Sequence, residues 1–81
     1  MNHIDRIILA NKLSNAHVAG FSMPYFENDG SAKEILFAVH NNGVIFQSPT
    51  RNFSLSFGSS RNWTEIKELP ESAVFIGTYP L

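Results

Sequence analysis

The sequence contains no cysteine among its 81 residues, and only 16% of them are charged. The absence of cysteine excludes disulfides, zinc–thiolate sites and thiol nucleophiles. The net charge is −1, and the three lysines are scattered along the chain. Because binding to a phosphate backbone depends on clustered Lys and Arg, this charge pattern argues against a nucleic acid as the main partner.

Long hydrophobic runs are also missing, and no basic segment followed by an apolar leader precedes Ile4. We therefore expect a soluble protein that is not exported, and we place it in the cytoplasm. A chain of this length predicts a single small domain over residues 1–81, because domains of this size have one core.

Convergent catalytic groups are lacking as well. Ser22 stands in Gly-Phe-Ser-Met-Pro, which lacks the final glycine of a nucleophile elbow, so we interpret it as a loop residue. No two of the three histidines have a spacing typical of metal ligands or of a catalytic triad. Three glutamates at a spacing of three indicate a solvated face rather than an acid–base pair; they are Glu65, Glu68 and Glu71. We expect no enzymatic activity, no cofactor and no metal site.

What the sequence does contain is an apolar hairpin over residues 34–48, around which the chain is organised. Asn42-Gly43 predicts a two-residue hairpin loop, because glycine adopts positive φ without steric cost and asparagine tolerates it. The strand before this turn, residues 34–40, is apolar on both faces, which predicts that both faces of the sheet are covered there.

The N-terminal segment over residues 2–14 has the pattern of a helix, with Asn2 as its N-cap. Apolar side chains form two stripes on this helix, which indicates either deep burial or a second contact. Residues 17–26 are compatible with a helix extension, a loop or an irregular strand, since Pro24 restricts a strand to an edge. The segment 27–33 predicts a loop that turns at Asp29-Gly30.

The C-terminal half predicts three further elements. Residues 53–57 alternate Phe or Leu with Ser and indicate a strand without the charges that protect an exposed edge. Residues 63–69 predict a short helix with Asn62 as its N-cap, and residues 73–79 predict a strand buried within the sheet. The expected fold class is α+β, with a mostly antiparallel sheet of about four strands, an N-terminal helix and a second short helix before the last strand.

Two helices cover four strands poorly, so the sequence predicts more apolar surface than one copy can bury. We therefore expect a non-enzymatic protein-binding module, an inhibitor or regulator of phage or mobile-element type that occludes a partner protein and forms homo-oligomers. Candidate partner-binding residues are Arg51, Arg61 and Trp63, because Arg and Trp are enriched in interface hot spots. The alternative is a single-stranded nucleic-acid-binding protein that combines these arginines with aromatic stacking.

Overall fold

The computed structural model of the chain describes residues 3–49 and 62–80. Within these ranges lie one helix and five strands: α1 His3–Asn11, β1 His17–Phe26, β2 Ala32–His40, β3 Ile45–Gln47, β4 Thr64–Ile66 and β5 Val74–Pro80. The strands form one sheet in the order β4-β3-β2-β1-β5, and every neighbouring pair is antiparallel. The predicted α+β class and antiparallel sheet are confirmed, with five strands instead of about four.

Helix α1 is shorter than predicted because the chain turns out of it at Lys12, which has φ 51°. The Leu13 N–H donates to the Ile8 carbonyl, and the Lys12 N–H donates to the Leu9 carbonyl, both at 3.2 Å. This pair of bonds is the Schellman arrangement that ends many helices. Both Ile8 and Leu13 pack against the core. The predicted second stripe, which comprised Leu9, Leu13 and Ala16, is therefore wrong. Leu9 is exposed, Leu13 packs against the core, and Leu13 and Ala16 lie beyond the end of α1.

Two loops of the same design join β1 to β2 and β2 to β3. In the first, the Gly30 N–H donates to the Glu27 carbonyl at 2.9 Å; in the second, the Gly43 N–H donates to the His40 carbonyl at 3.0 Å. Both glycines have positive φ, 85° and 89°. The predicted hairpin is confirmed, but its loop has three residues, 41–43, because the glycine follows a type I turn instead of forming its centre.

Strand β2 is the centre of the molecule, and its residues 34–39 are all buried. On one face, Ile35, Phe37 and Val39 pack with Ile7 of the helix and with residues of β1 and β3. On the opposite face, Leu36 is 0% exposed. A single copy of the chain therefore buries both faces of β2.

The predicted helix over residues 63–69 is wrong, since Thr64–Ile66 forms strand β4 beside β3. Ile66 lies opposite Ile45 and packs against the core, as does Leu69. A helix of two turns is unstable without tertiary support, whereas the open edge of β3 offers hydrogen bonds to an extended chain. Both arrangements bury Ile66 and Leu69, so the apolar spacing did not distinguish them.

The last strand, β5, is not buried within the sheet as predicted but lies at its edge in the described part of the chain. Strand β1 occupies the interior position instead, so residues 17–26 are the strand that the sequence allowed as one of three alternatives. The interpretation of Ser22 as a loop residue is wrong, since Ser22 lies within β1 and pairs with Leu36 and Val74. The predicted N-cap Asn2 and the predicted strand 53–57 lie outside the described residues.

Candidate functional site

Exposed apolar side chains concentrate where β1 extends past the beginning of β5. Of the five large hydrophobic residues that are exposed in the described ranges, four lie here, and we call them the edge patch: Tyr25 (42% exposed), Phe26 (68%), Val74 (61%) and Phe75 (44%). Single exposed hydrophobic residues are normal on a protein surface, but a group at one location marks an interaction site.

The edge patch exists because the two pairings of β1 have different lengths. Strand β1 pairs with β2 from Val18 to Phe26, but it pairs with β5 only as far as Ser22, opposite Val74. Pro24 lies beyond the β5 pairing, where a residue without an N–H removes no hydrogen bond between the two strands. The end of β1 therefore projects as half of a two-stranded hairpin, with Tyr25 and Phe26 on its opposite faces.

Strand β5 carries the other half of the edge patch and contains a bulge. The β1–β5 register shifts between Gly20 and Phe21, which lie opposite Gly77 and Phe75, so Ile76 is the extra residue. The Phe75 ring meets the Phe21 ring edge to face, with centroids 5.5 Å apart. This contact anchors the beginning of β5 to the core, although 44% of Phe75 remains exposed to solvent.

Gly77 follows the bulge with φ 136°, a conformation that other residues adopt only with strain. A side chain there would also meet the Tyr79 ring at 3.7 Å. The Tyr79 hydroxyl donates to the Ile76 carbonyl at 3.3 Å. Tyr79 therefore covers the glycine and holds the bulged segment in place.

Carboxylates flank the edge patch in sequence. Glu27 follows Phe26 directly, Asp29 is exposed in the next loop, and Glu71 is exposed three residues before Val74. The Ser31 N–H donates to Asp29 Oδ1 at 2.9 Å, and this hydrogen bond holds the pKa of the Asp29 carboxyl below its ordinary value of 3.8. Asp29 is therefore negatively charged at neutral pH.

The residues that the sequence suggested for partner binding do not form this site. Arg51 and Arg61 lie outside the described residues. Trp63 is half-buried and directly precedes β4, which is at the opposite edge of the sheet from β5. The structure thus places two strands, β3 and β2, between β4, which Trp63 precedes, and the nearer strand of the edge patch, β1.

Chemistry elsewhere in the described ranges is sparse. A cleft of about 650 Å³ lies between the start of α1 and the 67–71 loop and is lined by His3, Ile4, Lys67, Glu68, Leu69 and Glu71. His40 is half-buried and meets Phe46 edge to face at 5.4 Å, while His17 Nδ1 lies 3.0 Å from Ser14 Oγ. Residues 3–49 and 62–80 contain no group of three His, Asp or Glu that could hold a metal ion.

No helix in the described part of the chain has the length and apolar character needed to cross a membrane. Comparisons with protein-family models, with curated proteins and with solved structures find no match to the chain.

Sequence reasoning missed Tyr25, Phe26, Val74 and Phe75 as site residues. One local signal was present, since the adjacent aromatics Tyr25-Phe26 point to opposite faces of a strand and stand between Pro24 and a polar loop. No single sheet face can bury both of them at a hairpin end. The exposure of Val74 and Phe75 depends on strand order, which the sequence pattern does not specify.

Proposed function

We propose that this chain acts without catalysis by binding a protein through the edge patch, and that it works by covering a surface of that partner. The observation that carries the proposal is the concentration of four of the five exposed large hydrophobic residues at one end of the β1–β5 edge. Large hydrophobic side chains that are exposed near one another are typical of protein interaction sites.

The partner is either a second copy of the chain or a different protein. Self-association has one supporting feature, because β5 contains no charged residue and two copies could pair these edges without like charges opposite each other. Sedimentation of the purified chain at micromolar concentration distinguishes the two. A dimer that dissociates on mutation of the edge patch supports the second copy, and a monomer leaves a different protein.

The test of binding compares three immobilised forms of the chain in an extract of its native host. The double variant Phe26→Ser/Val74→Ser removes the two most exposed side chains of the edge patch, which contribute least to folding. Leu9→Ser is the matched control, since Leu9 is 64% exposed on the outer side of α1. We expect a protein that the original chain and Leu9→Ser retain and that the double variant loses, followed by binary binding with the purified protein.

The proposal fails if no retained protein depends on the edge patch and the chain sediments as a monomer. A fluorescent single-stranded oligonucleotide serves as the second probe. Binding that falls steeply with salt would support the nucleic-acid alternative instead, because release of counterions from phosphates produces that dependence.

A further inference from the structure

The loop that joins β2 to β3 contains an exposed asparagine that can react with its own backbone. Asn42 is the one asparagine of the eight in the sequence that precedes a glycine, and it is exposed. A glycine at the next position favours the reaction, because it has no side chain to hinder the approach of its nitrogen to the asparagine amide. We infer that Asn42 is a site of spontaneous deamidation and that opening of the loop 41–43 sets its rate.

The reaction consumes only water. The Gly43 nitrogen loses its proton and attacks Cγ of Asn42, and the new C–N bond closes a succinimide ring. The bond between Cγ and Nδ2 breaks, and the Nδ2 group takes up a proton and leaves as ammonia. Water then opens the ring at either carbonyl. One product is aspartate, and the other is isoaspartate, in which the main chain continues through Cβ and Cγ of residue 42.

In the closed loop the attacking nitrogen is engaged elsewhere. The Gly43 N–H donates to the His40 carbonyl at 3.0 Å. Removal of this proton is disfavoured, because the hydrogen bond exists only in the protonated form. The lone pair that the proton leaves behind also points at the His40 oxygen and not at Cγ of Asn42. The closed loop therefore lacks a nucleophile in position.

The side chain under attack is held as well. The Val44 N–H donates to Asn42 Oδ1 at 3.1 Å, and the His40 N–H donates to the Val44 carbonyl at 2.9 Å. These bonds fix the asparagine side chain and both ends of the loop in the geometry of the turn. Ring closure requires the Gly43 nitrogen to leave His40 and approach Cγ, so the loop must open first.

Opening of this loop does not require the core to unfold. Asn41 and Asn42 are both exposed, and the hydrogen bond from Val44 to Asn42 lies at the surface. Surface loops with exposed hydrogen bonds open at a lower free-energy cost than buried strands. The rate of deamidation in the folded chain is then the rate in the open loop multiplied by the fraction of chains in which the loop is open.

The loop between β1 and β2 shows what the aspartate product does. Asp29 occupies the position equivalent to Asn42, and its Oδ1 accepts from the Ser31 N–H at 2.9 Å. Aspartate at position 42 therefore retains the turn and adds one negative charge. Isoaspartate instead lengthens the main chain of the loop, which displaces the Gly43 N–H from its acceptor and weakens the hairpin.

Asp29 also precedes a glycine but reacts more slowly at neutral pH. A carboxylate resists attack by a nitrogen anion, and it must be protonated before it can lose water. The hydrogen bond from the Ser31 N–H holds the pKa of the Asp29 carboxyl below its ordinary value, which keeps it ionised. The two loops thus share one geometry and differ in the reactivity of the side chain.

The test follows deamidation during prolonged incubation at neutral pH by mass spectrometry of peptides, with chromatographic separation of aspartate from isoaspartate. The original chain is incubated both folded and unfolded in guanidinium chloride. Asp29→Asn places a second Asn-Gly pair in a loop of the same design. Asn42→Asp removes the reactive amide and reproduces one product. Amide exchange of the Gly43 N–H measures opening of the loop independently.

We expect Asn42 to react before any other asparagine of the folded chain. It should react about tenfold more slowly in the folded chain than in the unfolded one, because opening breaks the hydrogen bonds of the loop. Exchange of the Gly43 N–H should give the same open fraction. Asp29→Asn should add a second reactive site, and Asn42→Asp should keep the unfolding midpoint of the original chain. Reacted chain should unfold at lower denaturant in proportion to its isoaspartate content.

An unmodified Asn42 in the unfolded chain would overturn the inference. Equal rates in the folded and unfolded chains would also overturn it, because the loop would then give no protection. Neither result bears on the proposed function. The loop 41–43 follows His40, at the opposite end of β2 from Ala32, which pairs with Phe26 of the edge patch.

Discussion

At the scale of single residues, the two hairpin loops permit a direct comparison between aspartate and asparagine at one structural position. In the first loop Asp29 Oδ1 accepts from the Ser31 N–H at 2.9 Å, and in the second Asn42 Oδ1 accepts from the Val44 N–H at 3.1 Å. Only the aspartate can lose this acceptor by protonation. The first loop is therefore sensitive to acid and the second is not.

We predict that Asp29→Asn leaves the free energy of unfolding near pH 7 unchanged. In acid, this free energy should fall less in the variant than in the original chain. The pKa of Asp29 is lowered in the folded chain, so its contribution is present above the unfolded pKa and disappears as the pH falls through the folded value. The amide of the variant accepts the same hydrogen bond at every pH. Urea unfolding at a series of pH values, with an NMR titration of the Asp29 carboxyl, measures both effects; titration at or above 3.8 would contradict the prediction.

Lys12 gives a second prediction, because it adopts φ 51° at the end of α1 where glycine is the favoured residue. Lys12→Gly should stabilise the fold by about 0.5–1 kcal/mol, since a side chain in left-handed geometry costs roughly 1–2 kcal/mol and the freer unfolded chain offsets part of the gain. Lys12→Ala is the control, because it removes the charge but keeps the strain. Equal midpoints of denaturant unfolding for the two variants would reject this explanation.

At the scale of elements, sequence patterns predicted what local chemistry determines and missed what depends on strand order. Turn residues predicted the Asn-Gly and Asp-Gly turns. Apolar spacing predicted the N-terminal helix and the buried strand β2. The segment with Ile66 and Leu69 did not, because both a helix and a strand bury these residues. Val74 and Phe75 were expected in the interior because an apolar strand at an edge has the same composition as one inside a sheet.

Ser48 extends the pairing of β2 and β3 through its side chain, which no sequence pattern indicated. Its N–H donates to the Leu36 carbonyl at 2.8 Å, and its Oγ accepts from the Leu36 N–H at 2.8 Å. Both residues are buried. The hydroxyl thus replaces a backbone carbonyl at the end of the ladder and satisfies an amide that water does not reach.

We predict that Ser48→Ala destabilises the fold by about 1–3 kcal/mol, because it leaves the buried Leu36 N–H without this acceptor. Ser48→Thr is the matched control, since it retains the oxygen, and it should cost less than the alanine variant. Thermal and denaturant unfolding measure the difference, and amide exchange at Leu36 reports the bond itself. An alanine variant as stable as the original chain would show that the hydroxyl has no such role.

At the scale of the whole molecule, the core and the proposed binding surface are different apolar surfaces. The core forms around β2 within one copy. The edge patch lies at the end of β1 and the beginning of β5, where its side chains are exposed. Because strand β2 is buried on both faces within one copy, we expect the chain to fold without a partner. We therefore expect that the proposed association through the edge patch can be removed by mutation without unfolding the chain.

This separation predicts that the unfolding midpoint is independent of protein concentration. For an obligate dimer, a roughly hundredfold increase in concentration would add about 2.7 kcal/mol to the apparent stability, whereas a domain that folds alone shows no change. Denaturant unfolding followed at two such concentrations, for the original chain and for Phe26→Ser/Val74→Ser, measures this directly. The prediction is contradicted if the midpoint rises with protein concentration in the original chain but not in the double variant. That result would show that a second copy, bound through the edge patch, is needed to complete the fold.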